Sequence, residues 1–196
     1  MIRRILEILI SGLVLILLSP ILLVIYLSVR FNSAGPGIFK QSRVGKNNQD
    51  FVMYKFRSMH TRKTPDSLLT IGFEDKRITS VGKFLRKYKL DELPQFWNVL
   101  IGDMSLVGPR PEVRKFVDLY TEEQLKVLLV RPGITDYASL KYFHEDESLK
   151  QVENPEQHYI DTIMPEKLAI NLEYLQRRSL VGDFLVLMKT VFRVFK

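Results

Sequence analysis

Residues 5–29 read ILEILISGLVLILLSPILLVIYLSV, an apolar run in which Glu7 is the only charge. A run of this length can cross a bilayer as a helix, so the sequence predicts a membrane segment. Ser19-Pro20 interrupts the run, and a proline inside a helix removes a backbone donor and favours a kink. The arms on either side of this break, of about 14 and 9 residues, are each too short to span a bilayer alone.

Positive charge flanks the apolar run on both sides, with Arg3 and Arg4 before it and Arg30 after it. Cationic residues favour the cytoplasmic side of a membrane, so this pattern fits both ends returning to that face. We therefore expect a re-entrant helix-break-helix over residues 1–32, followed by a separate domain over residues 33–196. A single kinked span is the alternative, because proline is tolerated in membrane helices.

The overall composition narrows the classes of partner and chemistry. A net charge of +7 favours anionic partners, namely nucleic acid, a membrane surface or phosphorylated substrates. The chain has no cysteine, which excludes disulfides, thiolate zinc sites and a cysteine nucleophile. Its three histidines are widely separated and show no metal-ligand spacing. Nucleic-acid binding is not expected, because the basic residues are spread along the chain without a recognised reader motif.

The pattern after residue 33 predicts an α+β domain that is mostly helical. Two short strands, at 38–44 and 51–56, are joined by a polar loop and read as a β-hairpin. We expect helices in four places: after a cap at Ser80, over 112–129, over 165–178 and along the apolar tail 180–196. Residues 102–111 read as a turn-rich connector. The tail helix is either a core helix or an amphipathic helix at the membrane interface.

The stretch LDELPQ, residues 90–95, sets Asp91 and Glu92 side by side directly after a basic run. Carboxylates near cations and between leucines are costly to bury unless something uses them. Cations beside a carboxylate suggest a phosphate ligand, with the carboxylate as nucleophile or metal ligand. A surface acid pair neutralised by its neighbours is the alternative. If a helix restarts at Pro94, Asp91 would lie near its N-terminus, which would lower the pKa of Asp91.

An ordered set of motifs resembles the bacterial sugar transferase family, the small monotopic phosphoglycosyl transferases. The motifs are Ser19-Pro20, QSRVG at 41–45, YKFRSM at 54–59, RIT at 77–79, GKFLR at 82–86, LDELPQ at 90–95, NVL at 98–100, GDMSLVGPRP at 102–111 and RPGIT at 131–135. The chain departs from the family after Thr135, where DYAS stands in place of the GLAQ of many members. We place no family motif in residues 141–178. If sugar recognition lies there, the identity of the sugar cannot be carried over.

The resemblance implies an enzyme that moves a sugar phosphate from a UDP-sugar to polyprenyl (undecaprenyl) phosphate and releases UMP. Such enzymes carry out the first membrane step of surface glycan assembly. The family's Ser-Pro break implies a re-entrant anchor, with the catalytic domain, residues 33–196, on the cytoplasmic face of the bacterial inner membrane. The implied partners are the UDP-sugar, the polyprenyl phosphate and the phospholipid membrane, and the sequence leaves homo-oligomerisation open.

The resemblance also assigns roles to individual residues. Asp91 would be the nucleophile that carries the sugar phosphate, and Glu92 a metal or acid–base partner, with Mg²⁺ held by both carboxylates. The expected substrate- or phosphate-binding residues are Arg86, Arg110, Lys55, Arg57, Arg43 and Asp183. A structural role bonding backbone carbonyls is the alternative for Arg110. For the cations at 43, 55 and 57 the alternative is a solvated surface position.

Two other functional classes compete with this reading. A glycosyltransferase that moves only the sugar would release UDP and would need no phosphorylated carboxylate. A basic adaptor at the membrane surface would account for the charge and the apolar ends of the chain. Such an adaptor gives no reason for Asp91 and Glu92 to lie within a basic site.

Overall fold

A computed structural model describes residues 2–61, 72, 75–143 and 148–194. The chain begins with two helices, α1 (Ile2–Leu17) and α2 (Ser19–Asn32), bent by 64° relative to each other. The break falls where the sequence predicts it, and Ser19 Oγ donates a hydrogen bond to the Ile16 carbonyl (2.8 Å). None of the described helices is by itself long and apolar enough to cross a membrane, whereas this bent pair together meets that test.

The predicted β-hairpin is confirmed. Strand β1 (Ile38–Val44) pairs antiparallel with β2 (Asp50–Phe56), so that Ile38 lies opposite Phe56. A second pair, β3 (Ser105–Val107) and β4 (Gly133–Thr135), is parallel, and β3 lies within the segment 102–111 where we expected a turn-rich connector. A Cβ at Gly133 would lie 2.2 Å from the Gly108 backbone nitrogen, so glycine is required for this close approach.

Most of the described chain is helical, which confirms the α+β class. The remaining helices are α3 (Ser80–Lys87), α4 (Gln95–Ile101), α5 (Arg114–Val117), α6 (Glu122–Leu125), α7 (Tyr137–Lys141), α8 (Pro155–His158), α9 (Met164–Gln176) and α10 (Leu180–Val194). The predicted helices at 165–178 and along the tail correspond to α9 and α10.

Two helix predictions need correction. Thr79, not Ser80, caps α3, because its hydroxyl accepts a hydrogen bond from the Gly82 backbone nitrogen (2.9 Å). The helix expected over 112–129 is broken into α5, α6 and a 3₁₀ turn. A capping box between Thr121 and Gln124 starts a new helix at Glu122, which explains the break.

Helix α1 packs against α4. The Arg4 guanidinium donates to the carbonyls of Val99 (2.7 Å) and Leu100 (3.3 Å). Glu7 is buried and accepts a hydrogen bond from the Ser105 hydroxyl. Arg4 and Glu7 of α1 therefore bind the rest of the chain. The division of the chain at residue 32 stays a prediction.

Helix α10 is apolar on two sides. Val186 is fully buried in a core cluster with Val99, Met104 and Tyr174, whereas the opposite side leaves Phe184 and other large apolar side chains exposed. The helix therefore contributes to the core and also carries an exposed apolar face of the kind expected at a membrane interface.

Candidate active site

Asp91 and Glu92 lie on the wall of a cavity of about 1200 Å³. Among the described residues that line it, nine are lysine or arginine and three are acidic. The cations are Arg43, Lys55, Lys83, Arg86, Lys87, Lys89, Arg110, Lys167 and Arg193, and the acids are Asp91, Glu92 and Glu112. The cavity is therefore strongly electropositive and suits an anionic ligand.

The acid pair sits on a single 3₁₀ turn, Leu90–Glu92, between α3 and α4. Helix α4 begins only at Gln95, with Pro94 as its N-cap, so Asp91 precedes the helix rather than lying in its first turn. The expected lowering of the Asp91 pKa by the helix dipole is therefore wrong. Burial raises the pKa of Asp91, and so does the neighbouring Glu92 carboxylate, while Lys55, Arg86 and Lys89 oppose that rise.

The Asp91 carboxyl group is buried and, among the described residues, lacks a hydrogen-bond partner at one of its oxygens. Its side chain is 5% exposed, and Oδ1 has no hydrogen-bond partner in the described part of the chain. A buried carboxylate oxygen without a donor is costly, and such groups concentrate at functional sites. This oxygen is therefore available to attack or to coordinate.

Glu92 is placed differently from its neighbour. It accepts hydrogen bonds from Lys55 Nζ (3.1 Å) and from both terminal nitrogens of Arg110, of which Nη1 lies at 3.3 Å. Burial acts to raise the pKa of Glu92, but Arg110 and Lys55 outweigh it and hold that pKa well below its usual range. Glu92 is thus a permanent anion that orients two of the cavity's cations.

Strand β2, which carries Lys55, is joined by hydrogen bonds to helix α4, which follows the acid turn. Asn98 of α4 donates from Nδ2 to the Val52 carbonyl (2.7 Å) and accepts from the Tyr54 backbone nitrogen (3.0 Å). This amide bridge fixes the edge of β2, which carries Lys55, against the helix that follows the acid turn. Asn98 belongs to the NVL motif at 98–100, which is the only signal for it in the sequence.

Arg110 is fixed through its own backbone by Asp136, which is not among the site residues expected from the sequence. Asp136 is fully buried; its Oδ2 accepts from the Arg110 backbone nitrogen (3.1 Å) and its Oδ1 from Ser139 N (2.5 Å), which caps α7. Arg110 Nη1 also donates to the Ile134 carbonyl (3.3 Å). Arg110 thus makes the backbone-carbonyl bond of the structural alternative and also pairs with Glu92, while its phosphate-binding role stays a prediction.

Arg43 and Arg86 also line the cavity, as expected for phosphate-binding residues. Arg43 Nη1 donates to Glu112 (2.8 Å) and to the Pro111 carbonyl (3.2 Å), and burial lowers its pKa. Burial also lowers the pKa of Lys55, although the Glu92 carboxylate acts against that shift. The structure therefore brings Arg43, Lys55, Arg86 and Arg110 to one cavity with the acid pair.

Two expected site residues do not line this cavity. Arg57 is buried. Its guanidinium donates hydrogen bonds to the carbonyls of Val29 (3.1 Å), Ser33 (2.6 Å) and Ala34 (2.8 Å). It therefore stabilises the end of α2 and does not line the cavity. Asp183 is buried in the first turn of α10. It is paired with Arg3 (2.7 Å) and accepts a hydrogen bond from the Tyr174 hydroxyl (2.6 Å).

The residues present fit a magnesium ion. In the described ranges no group of three or more His, Cys, Asp or Glu side chains forms a metal cage. Mg²⁺ is commonly held by one or two carboxylates plus substrate phosphate oxygens, rather than by a protein cage. Asp91, with its unpartnered Oδ1, and the adjacent Glu92 match that donor set.

Comparison with known proteins agrees with the motif set. The family model described as "Bacterial sugar transferase" matches residues 1–196, and the chain belongs to that family.

Three curated relatives cover nearly all of this chain. It is 38% identical over 98% of its length to the UDP-glucose:undecaprenyl-phosphate glucose-1-phosphate transferase of Klebsiella pneumoniae. It is 38% identical over 97% to a UDP-N-acetylgalactosamine-undecaprenyl-phosphate N-acetylgalactosaminephosphotransferase of Aeromonas hydrophila, and 34% identical over 96% to a glucose-1-phosphate transferase of Caulobacter vibrioides. The matched region spans 40%, 43% and 68% of these three proteins, respectively.

Proposed function

We propose that this chain transfers a sugar-1-phosphate from a UDP-sugar to polyprenyl (undecaprenyl) phosphate, with release of UMP. The observation that carries the proposal is the buried, unpartnered Oδ1 of Asp91 on the wall of a cationic cavity. The names of the relatives describe the same transfer with glucose or N-acetylgalactosamine, and they differ in the sugar. The donor sugar of this chain is therefore left unassigned.

The first chemical step is an attack by the Asp91 carboxylate on the β-phosphorus of the UDP-sugar. A carboxylate–phosphorus bond forms, the bond from the β-phosphorus to the bridging oxygen breaks, and that oxygen leaves with UMP. In the second step a phosphate oxygen of the polyprenyl phosphate attacks the same phosphorus and restores the carboxylate. One phosphoanhydride is broken and one is made, so the transfer needs no ATP.

Charge is the main obstacle to this chemistry, because an anionic carboxylate must approach an anionic diphosphate. Burial of Asp91 removes the water that would otherwise solvate the nucleophile. Glu92 stays ionised and holds Lys55 and Arg110 on the cavity wall, where their remaining donors can face phosphate oxygens. Arg43 and Arg86 add positive charge on the same wall.

We propose Mg²⁺ as the cofactor, held by Asp91 and Glu92 together with substrate phosphate oxygens. When bound, it would neutralise charge on the diphosphate during transfer. The expected result is loss of UMP release in EDTA and recovery on addition of excess MgCl₂. Full activity in EDTA, after removal of bound metal and confirmation by elemental analysis, would refute the assignment.

The bent pair of α1 and α2 suits a substrate whose tail stays in lipid. We propose that the pair is a re-entrant anchor and that the cavity faces the headgroups on the cytoplasmic side of the inner membrane. The polyprenyl phosphate would then meet the enzyme by diffusion in two dimensions, with its phosphate at the depth of the cavity. Supporting features are the bend of 64° and the exposed apolar faces of both helices.

The released nucleotide and the covalent state of Asp91 test the proposal together. Purified enzyme is given polyprenyl phosphate and a panel of UDP-sugars, and nucleotides are separated by chromatography. We expect UMP with at least one sugar, and a sugar-phosphate adduct on Asp91 when the acceptor is omitted. Asp91→Asn should abolish both, whereas Asp161→Asn, at an exposed position bonded to Gln157, should preserve them. Release of UDP instead would identify a sugar-only transferase.

A further inference from the structure

We infer that Lys89 and Arg193, gathered around the Phe143 ring, form a second anion-binding subsite in the cavity, which takes phosphate oxygens of a substrate. Assigning the anion to a substrate rests on the proposed function. Neither cation belongs to the set of phosphate-binding residues expected from the sequence.

The three side chains come from separate parts of the chain. Lys89 precedes the acid turn, Phe143 follows α7, and Arg193 lies in the last turn of α10. Lys89 Nζ is 5.2 Å and Arg193 Cζ is 5.5 Å from the centroid of the Phe143 ring. All three line the same cavity as Asp91. Both cations therefore contact one aromatic ring on the wall of the cavity that holds Asp91.

These two cations differ in their partners from Arg43, Lys55 and Arg110. Lys55 and Arg110 are bonded to Glu92, and Arg43 to Glu112, so much of their charge is already balanced by protein carboxylates. In the residues that the structure describes, neither Lys89 nor Arg193 forms an ion pair or a side-chain hydrogen bond. The Phe143 ring attracts both cations, but that attraction does not neutralise them. An anion bound to one or both of these cations would neutralise their charge.

The charge of Lys89 acts on both carboxylates of the acid turn. Lys89 has φ 52° and ψ 20°, a left-handed conformation that residues other than glycine rarely adopt. Helices commonly end with one residue in this conformation, and here it turns the chain from α3 into the acid turn. The Lys89 charge opposes the rise in the Asp91 pKa and helps to lower that of Glu92, although it bonds neither carboxylate. Lys89 is therefore near the reacting carboxylate with its donors uncommitted.

The chemistry of the ligand follows from the two substrates of the proposed reaction. The UDP-sugar carries a diphosphate and the polyprenyl phosphate carries a monophosphate, and both must reach the phosphorus attached to Asp91. Ammonium and guanidinium donors bind either phosphate with charge-assisted hydrogen bonds. The shared ligand is thus a phosphate group, and binding of each substrate class separately identifies its source.

The test measures binding without turnover. Full-length Asp91→Asn protein in detergent is titrated calorimetrically with UDP and, separately, with farnesyl phosphate as a soluble analogue of the acceptor. The variant Lys89→Gln/Arg193→Gln is compared with the control Lys126→Gln/Arg177→Gln, which removes the same charge from exposed residues outside the cavity. Phe143→Leu, which keeps both charges, is a second variant.

We expect the Lys89→Gln/Arg193→Gln variant to bind at least one probe about tenfold more weakly than the control. Weaker UDP binding identifies the donor as the source, weaker farnesyl phosphate binding identifies the acceptor, and loss of both identifies a shared subsite. Phe143→Leu should weaken the same probe by a smaller factor. The inference is overturned if both probes bind both variants as tightly as the control.

The binding result is separable from the proposed function. If the wild-type enzyme releases no UMP from any UDP-sugar, the proposed transfer is wrong whatever the probes show. If UMP is released and both variants bind both probes normally, only the subsite is wrong.

Discussion

Arg3 Nη2 lies 2.7 Å from Oδ2 of Asp183, so the first turn of α1 is joined directly to the first turn of α10. The Asp183 carboxylate also accepts a hydrogen bond from the Tyr174 hydroxyl of α9. Burial is the main cause that raises the pKa of Tyr174, and this hydrogen bond adds to the rise, so the phenol stays a donor. The N-terminal apolar pair and the end of the chain are thus tied together by one buried carboxylate.

Replacing the Asp183 carboxylate should affect the stability of the fold more than the rate of UMP release. Asp183→Asn leaves Arg3 without its charge partner, and removing one partner of a buried ion pair costs about 3 kcal/mol. For a chain of this size we expect a fall in melting temperature of roughly 5–10 °C. The control is Glu173→Gln, which removes an exposed ion pair with Arg177 and should change the melting temperature by about 2 °C or less. An equal effect of both variants would contradict a structural role for Asp183.

The absence of cysteine allows a clean test of topology. Single cysteines are introduced by Ile2→Cys at the exposed start of α1 and by Lys126→Cys on the exposed surface of the folded domain. A re-entrant pair places both positions on the cytoplasmic side of the membrane. We therefore expect a membrane-impermeant maleimide to label both in inverted vesicles and neither in intact cells. Labelling of Ile2→Cys alone in intact cells would establish a single span.

Glu92→Gln tests whether this carboxylate orients the cations of the cavity. The change keeps the shape of the side chain but removes the charge that holds Lys55 and Arg110. Because misplaced catalytic groups lose much of their effect, we expect the rate of UMP release to fall by about a hundredfold. Folding should be retained, as checked by circular dichroism. The control is Glu122→Gln in the exposed first turn of α6, which should keep the wild-type rate.

The raised pKa of Asp91 predicts that the ionised carboxylate, which the proposed reaction needs, makes the folded protein less stable. The folded protein keeps the Asp91 carboxyl group protonated to a higher pH than the unfolded chain does. Ionising Asp91 therefore lowers the stability of the folded protein as the pH rises. Asp91→Asn removes that cost. In EDTA the variant should therefore melt at a higher temperature than wild type in mildly alkaline buffer, and the difference should disappear in acid.

The pH series itself is the internal control for this prediction, because an amide does not titrate. A stability difference that grows towards acid pH would mean that the folded state favours the Asp91 carboxylate. That result would contradict the direction of the pKa shift.

Part of the fold and of the site could be predicted from the sequence alone, because it depends on residues that are neighbours in the chain. The proline at position 20 breaks the apolar helix by its own covalent structure, and two strand-forming segments on either side of a polar loop specify the hairpin. The adjacency of Asp91 and Glu92 is likewise a local fact. The break of the 112–129 helix was also local, in the Thr121 capping box, but the stronger apolar pattern concealed it.

The partners of each charge were decided only by the tertiary structure. Nothing in the sequence distinguishes Arg57, which bonds carbonyls of α2, from Arg110, which holds Glu92. Asp183 and Asp91 are both acids near apolar residues, yet one pairs with Arg3 and the other keeps an unpartnered oxygen. The physical reason is that ion pairing and burial depend on contacts between residues far apart in the chain. Local sequence therefore determines where the helices and strands break, whereas packing determines which charges are left to meet a substrate.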